Sequence, residues 1–379
     1  MNFNNQEIKE SGKVVLHLWD FPDTIYFLIE DNIRKTYFKE LYSFYGNKRS
    51  AAKHLEVSPT LLRNCEKGFS IKKGIIYPQY TSLKLFKRTI HILDFRFLES
   101  LEKNVMAISV RNGLNVKNPI LPIVESPKVY SVIAHIIADG TASKRSTPYY
   151  ANSCKRLRND FKASLRVFGL CETSEGEVGG TIGVRFPKAI TDILSSCFDI
   201  VFVHPDRLPK PIFRAPLECK TTFLQALFDD EGTISTGLVV GIHNTKIMKE
   251  IKLLLNSIGL KTGHLMIHPY PHKKDKVTLR IPTKEYTKFR DLIGFLHPEK
   301  QKNLESAIQT RNRKQRTRNP NYIAERILGI LEIKPSKTME LANELLFTLN
   351  GITPHLKRML NEGLIVKRGY KNEIIWDVA

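Results

Sequence analysis

The sequence predicts an α+β chain organised around an internal duplication, with mainly helical segments before and after it. The first observation behind this is a stretch that occurs nearly twice: VYSVIAHIIADGTAS from Val129 to Ser143, and FLQALFDDEGTIS from Phe223 to Ser235. The second is a shared order of segments downstream of each copy: a helical segment ending in Phe168 to Leu170 or Ile258 to Leu260, a strand ending in proline, a helix, and a histidine-proline pair. The landmark pairs Asp139 and Glu231, Gly169 and Gly259, Pro187 and Pro282, and His204 and His297 lie 92, 90, 95 and 93 residues apart. Four landmarks in one order at a near-constant offset indicate a tandem repeat and a pseudo-two-fold domain. At 379 residues the chain has room for two or three domains, each with its own core.

Residues 1–112 form an N-terminal region. Its opening alternates apolar and polar positions (Val14, Leu16, Leu18) and predicts a small β element. The run from Asn47 to Gly68 reads as helix, tight turn, helix, at the heart of a region of about 37–95. Ala52, Leu55, Val57 and Leu62 supply the apolar face, Ser58 is a good N-cap, and Pro59 occupies the first helical position. This pattern resembles a helix-turn-helix, with Glu56 where glycine is usual, and the second helix with Arg63 facing DNA. Residues 113–127, with Pro119, Pro122 and Pro127 and little periodicity, read as a linker.

Each duplicated stretch is an apolar run ending in an acid and a glycine. From Ser131 to Ala138 the run is apolar nearly all round, which predicts a helix buried between two layers. Ala134 and Ala138 share a face where a second backbone can approach. Gly140 and Gly232 are expected to take positive φ where the helices stop. Asp139 and Glu231 close the two helices. The macrodipole disfavours an acid at a helix C-terminus, so two such acids side by side call for a cation between them. Paired carboxylates with Mg²⁺ are a hydrolytic arrangement for phosphodiesters.

These motifs resemble those of the LAGLIDADG homing endonucleases in their monomeric, two-motif form, over about residues 126–310. The resemblance implies two tandem pseudo-symmetric αββαββα repeats, here 128–208 and 209–310, with the motif helices between them and each sheet laid in the DNA major groove. It implies metal ligation by Asp139 and Glu231, with Gly140 and Gly232 adjoining the metal, Mg²⁺ or Mn²⁺ as cofactor, and a basic residue near the acids, for which Lys300 and Arg207 are the candidates. The chain departs from the family pattern at His135 and Ile137, where leucine and aspartate are more usual, and at Asp230, where a small residue is usual.

Between the repeats, the four prolines from Pro205 to Pro216 predict an extended strap. The sheets are expected to present Asn152, Lys155, Arg158, Arg185, His243, Lys273, Lys274 and Arg280 to DNA, with arginine suited to guanine and lysine to phosphate. Residues 311–320, including Arg311 and Arg313, read as a basic linker touching phosphates. Residues 321–379 then read helix, helix, helix, hairpin, which resembles a winged helix. Its reading helix runs from Pro354 to Leu360 and carries Lys357 and Arg358, and its wing lies at Arg368 to Lys371. The histidines His264, His268 and His272 are spaced for a helical metal face, but Pro269 and Pro271 break that helix and leave a loop or hairpin.

Charge bounds the partner. With 59 Lys and Arg against 38 Asp and Glu, the chain carries +21, with a pI near 9.7, and so fits a polyanion. No run of eighteen apolar residues offers a membrane span, so double-stranded DNA is the expected partner, bound by a monomer, and no small-molecule substrate is evident. The five cysteines lack a C-x-x-C pair and fit reduced thiols of a cytoplasmic, nucleoid-associated protein. The expected function is a divalent-metal-dependent, site-specific DNA endonuclease of the intron-homing kind. The alternatives are a DNA-binding regulator derived from such a nuclease, or an RNA maturase.

Overall fold

The computed structural model describes residues 14–111, 113–143, 146–235, 237–269, 275–312, 320–369 and 374–379. The fold is α+β and divides into two compact units, residues 1–230 and 231–379.

In the first unit the strands Val15–Leu16 and Tyr26–Ile29 come before three helices, α1 (Asp31–Tyr45), α2 (Lys48–His54) and α3 (Pro59–Lys67). Asn47 caps α2 by accepting from the Ser50 N–H, and Ser58 caps α3 by accepting from the Leu61 N–H. The turn between them passes through Glu56 at φ 54°, so the position where glycine is usual is left-handed here with a glutamate in it. Ala52, Leu55 and Leu62 are buried. Behind these helices lies a five-stranded antiparallel sheet in the order Leu170–Cys171, Val116–Lys117, Val105–Ser109, Tyr26–Ile29, Thr81–Ser82. The segment 113–127 therefore contains sheet rather than a plain linker: Val116 and Ile123 are buried, and Ile123–Val124 pairs with Val15–Leu16. Two-residue strands carry no readable period, and prolines sit comfortably beside such short edges.

The duplication is visible in topology. The first repeat runs α4 (Pro127–Asp139), β1 (Gly140–Thr141), β2 (Tyr149–Ala151), α5 (Lys155–Leu165), β3 (Ser174–Val178), β4 (Thr181–Arg185) and α6 (Lys188–Cys197). The second runs α7 (Leu217–Glu231), β5 (Gly232–Thr233), β6 (Val239–Ile242), α8 (Thr245–Ser257), β7 (Leu265–His268), β8 (Lys276–Arg280) and α9 (Tyr286–Leu292). Their sheets have the orders β3-β4-β2-β1 and β7-β8-β6-β5, so each repeat is αββαββα with the same strand exchange. Register fixes the counterparts residue by residue. Tyr149 faces Arg185 and Val239 faces Arg280, while Tyr150 faces Gly140 and Val240 faces Gly232. Tyr150, Ala151 and Asn152 thus correspond to Val240, Gly241 and Ile242.

Helix α4 is buried on all faces from Val129 to Ile137, as its composition predicts. Gly140 corrects an expectation. It has φ −89° and ψ 156°, ordinary extended backbone, and Gly232 is absent from the positive-φ residues. Glycine is required at 140 by space: a Cβ there would lie 2.5 Å from both the Cα and the carbonyl oxygen of Ile136. The strap is also not wholly extended. Lys210–Phe213 forms a 3₁₀ turn, and Leu208, Ile212 and Ala215 are buried.

In the second unit the helix Pro298–Asn312 comes after the repeat, and residues 313–319 of the basic linker lie outside the described residues. The C-terminal part has helices Pro320–Leu331, Thr338–Leu345 and Leu349–Asn361 and an antiparallel sheet ordered Ser336–Lys337, Ile375–Val378, Ile365–Arg368. Its core joins Ile327, Leu331, Leu341, Ile352, Leu356, Met359 and Trp376. The third helix starts five residues before Pro354, at a cap where Thr348 accepts from the Gly351 N–H, so the proline sits inside it. The tip expected to be a wing falls partly on residues 370–373, outside the described residues.

All five cysteines are free thiols, and burial pushes Cys65 up to about 11 and Cys171 and Cys197 up to about 12. Among the described residues no helix is long and apolar enough to cross a membrane.

Candidate functional site

Two of the three departures from the motif pattern, His135 and Asp230, meet each other. His135 projects from the middle of α4 and Asp230 from the last turn of α7, and His135 Nδ1 lies 2.7 Å from Asp230 Oδ2 with both side chains at most 1% exposed. Burial alone would lower the His135 pKa, but the charge of Asp230 and the hydrogen bond to it outweigh burial and raise it, which favours the protonated imidazole. The other oxygen of Asp230 accepts from Tyr150 Oη at 2.8 Å and from Asn152 Nδ2 at 3.0 Å. Burial, then the neighbouring Asp230, push the Tyr150 hydroxyl well above its usual range, so it stays a donor.

Asn152 connects this cluster to the motif acid. Its Nδ2 also donates to Asp139 Oδ2 at 3.0 Å, so the two hydrogens of one amide serve two carboxylates. The orientation of the amide is fixed because its oxygen accepts from the Cys154 N–H at 2.9 Å. The backbone of Asn152 is held in turn. Arg158, 5% exposed on α5, donates from Nη1 to the carbonyls of Asn152 at 2.7 Å and Ser153 at 2.9 Å, and its Nε faces Glu175 at 3.8 Å.

Two expectations are therefore corrected: Asn152 and Arg158 do not face outward from the sheet. Asn152 follows β2 as the chain turns into α5, and its side chain reaches Asp139 at the end of α4. Arg158 lies on the α5 face that carries the buried Leu157, Phe161 and Leu165. Arg158→Ala is expected to cost about 2 kcal/mol, the scale of hydrogen bonds from a charged donor, read by urea unfolding.

The remaining candidates are spread over the chain. Arg185 and Arg280 are exposed counterparts at the ends of β4 and β8; the Arg280 guanidinium packs over Gly237, where a Cβ would come within 2.6 Å. Lys155 at the start of α5, Arg63 on α3, His243 after β6 and Lys357 are exposed. Arg358 is half-buried and paired with Glu362 at 3.6 Å. Arg207 is engaged by Asp206 at 3.2 Å and Asp199 at 3.6 Å, which leaves its charge already answered. Lys300 lies in the first turn of Pro298–Asn312, where its N–H is 3.5 Å from His297 Nδ1, so His297 closes a helix start. His268 is in β7 and bonds Thr278 at 2.9 Å, in keeping with a hairpin. Lys273, Lys274 and Arg313 lie outside the described residues, and Arg311 is in the last turn of its helix.

Both motif acids are half-exposed at the last residue of their helices. Among the described residues no group of three or more His, Cys, Asp or Glu side chains is placed to hold a metal by itself. Hard oxygen donors in ones and twos suit Mg²⁺, which takes one or two carboxylates and completes its shell with water and substrate phosphates. Asp139 fits that chemistry. Asp230 does not, because both of its oxygens are taken up by His135, Tyr150 and Asn152 in a closed interior.

No family model matches the chain, and no curated protein matches it. Solved structures with a likeness include the homing endonuclease I-DmoI in complex with DNA and Ca (15% identity, TM-score 0.35, covering 47% of this chain and 97% of that one). I-WcaI bound to its DNA recognition sequence aligns at 17% identity and TM-score 0.32, over 47% of this chain and 85% of that one. Full-length DUF199/WhiA from Thermatoga maritima aligns at 14% identity and TM-score 0.36, over 62% of this chain and 91% of that one. Scores this low transfer neither architecture nor activity to this chain.

Proposed function

We propose that the chain is a LAGLIDADG-type, site-specific endonuclease that hydrolyses double-stranded DNA with divalent metal. The observation that carries this reading is internal. The chain repeats an αββαββα unit, each copy opens with a motif helix ending in an acid, and the first of these acids is fixed by a dedicated side-chain amide. On this reading Asp139 and Glu231 are the metal carboxylates. The metal would supply the electrophilic charge that stabilises a phosphodiester under attack. The chain's own residues do the rest. Asn152 orients Asp139, Arg185 and Arg280 present guanidinium groups from equivalent sheet positions to the duplex, and Lys300 is the candidate for charge stabilisation, because Arg207 is committed to Asp199 and Asp206. The helices α2 and α3 and the C-terminal winged-helix-like segment would add contacts to DNA beyond those of the two sheets.

The test starts from a random duplex pool. The protein is expected to select one long sequence in Ca²⁺ and to cut it when Mg²⁺ or Mn²⁺ replaces Ca²⁺. Failure to enrich any duplex, with retention of structured RNA instead, would point to the maturase. Salt should weigh heavily on binding: for ~6–10 phosphate contacts, affinity falls about 10³–10⁵-fold between 50 and 200 mM salt, measurable by fluorescence anisotropy.

A further inference from the structure

We infer that Asn152 is a positioning residue for Asp139, and that Asp230, His135 and Tyr150 are present to hold Asn152 in place; this rests on the nuclease reading above. An aspartate at the end of a helix is repelled by the helix dipole. One amide hydrogen from Asn152 restrains it at 3.0 Å. That amide would swing away if its second hydrogen had no acceptor, and Asp230 Oδ1, also at 3.0 Å, supplies one. A carboxylate with its side chain fully buried needs compensation, which His135 and Tyr150 provide at 2.7 and 2.8 Å. Arg158 and the Cys154 N–H fix the rest of Asn152.

The second repeat shows that the cluster is one device. Register and motif alignment place Leu227 opposite His135, Val240 opposite Tyr150, Ile242 opposite Asn152 and Ala138 opposite Asp230. All four polar members are replaced by apolar ones, so neither partial version occurs. The residues at these positions cannot form this clamp for Glu231. Asn152 therefore serves one motif acid, and cleavage of the two strands should depend on it unequally.

The experiment titrates Ca²⁺, which supports binding without cutting, into the complex of the protein with its selected duplex and reads metal affinity by calorimetry. Residues that orient a metal ligand typically contribute about 10–100-fold to metal affinity, and Asn152→Ala is expected to lose that much. Asn152→Gln, which keeps an amide but displaces it by one methylene, should move in the same direction and serves if the alanine variant does not fold. Tyr150→Phe removes one partner of Asp230 but leaves the amide and its acceptor in place; it should lower Tm and cost Ca²⁺ affinity less than Asn152→Ala does. Strand-resolved cleavage in Mg²⁺ by the Asn152 variants should slow one strand more than the other. Unchanged Ca²⁺ affinity in the Asn152 variants would overturn the inference alone. Equal losses in Asn152→Ala and Tyr150→Phe would also overturn it, since the cluster would then act only through the fold. A wild-type complex that takes up no Ca²⁺ would overturn the nuclease reading, and this inference with it.

Discussion

Asp139→Asn and Glu231→Gln are each expected to lower cleavage at least ~10³-fold while leaving target affinity in Ca²⁺ within a few-fold. Each substitution is nearly isosteric and removes one negative charge. A charge contribution of about 4 kcal/mol to the transition state corresponds to a rate factor of about 10³. Binding should survive because it rests on the charge of the whole chain and on the sheet faces. The same comparison isolates the neighbouring acid. Asp230→Asn should act first on stability, since Asp230 is enclosed by His135, Tyr150 and Asn152. Single-turnover cleavage and anisotropy on the wild type and these three variants decide this, and cutting at the wild-type rate by Asp139→Asn would remove Asp139 from the metal site.

The second large effect concerns the buried pair. His135→Ala is expected to destabilise the protein by about 3–5 kcal/mol, because it leaves a buried carboxylate without its counter-charge. Replacing both members should cost less. His135→Leu with Asp230→Ala installs the residues that the chain itself uses at the counterpart positions, Leu227 and Ala138. Such apolar replacement of a buried pair is often neutral or stabilising by about 1–4 kcal/mol, offset here in part by the acceptor that Tyr150 and Asn152 lose with Asp230. Single losses with partial recovery in the double variant would emerge as a coupling energy in urea unfolding. The pair also sets a pH dependence. His135 has a folded pKa raised above its unfolded value of about 6.5, so its contribution is fully present below that pH and is lost as pH rises through the folded value. Wild-type stability should therefore fall from pH 6 to pH 9 relative to the double variant. Parallel pH profiles would show that the pair is not ionised.

The duplication, both motif helices and, in each repeat, the strand that ends just before Pro187 or Pro282 are legible in the sequence because they rest on periodicity and on landmarks repeated at a fixed offset. The helices Lys48–His54 and Pro59–Lys67 and the turn between them are legible from Ser58 and Pro59, which mark a helix start locally. The features that escape a sequence reading depend on long-range geometry. Val116 and Ile123 belong to strands too short to carry a period. Gly140 looks like a helix stop requiring positive φ, whereas its constraint is the nearby Ile136 backbone. Arg158 and Asn152 look like outward-facing polar residues, since burial of a guanidinium around two carbonyls leaves no mark in composition. The signal for the cluster is present but has to be read as a pair: a basic residue and an acidic one, His135 and Asp230, stand where each motif expects an apolar or small residue. Only their 2.7 Å approach shows that one exception answers the other.

The most direct measurement takes the duplex selected in Ca²⁺, labels each strand in turn, and tracks both strands after addition of Mg²⁺, with Asp139→Asn alongside. The wild-type protein is expected to make one defined cut in each strand, and the variant none. Tight, sequence-specific binding with both strands intact in Mg²⁺ and Mn²⁺ would contradict it, and would identify the chain as a DNA-binding regulator that has kept the architecture without the chemistry.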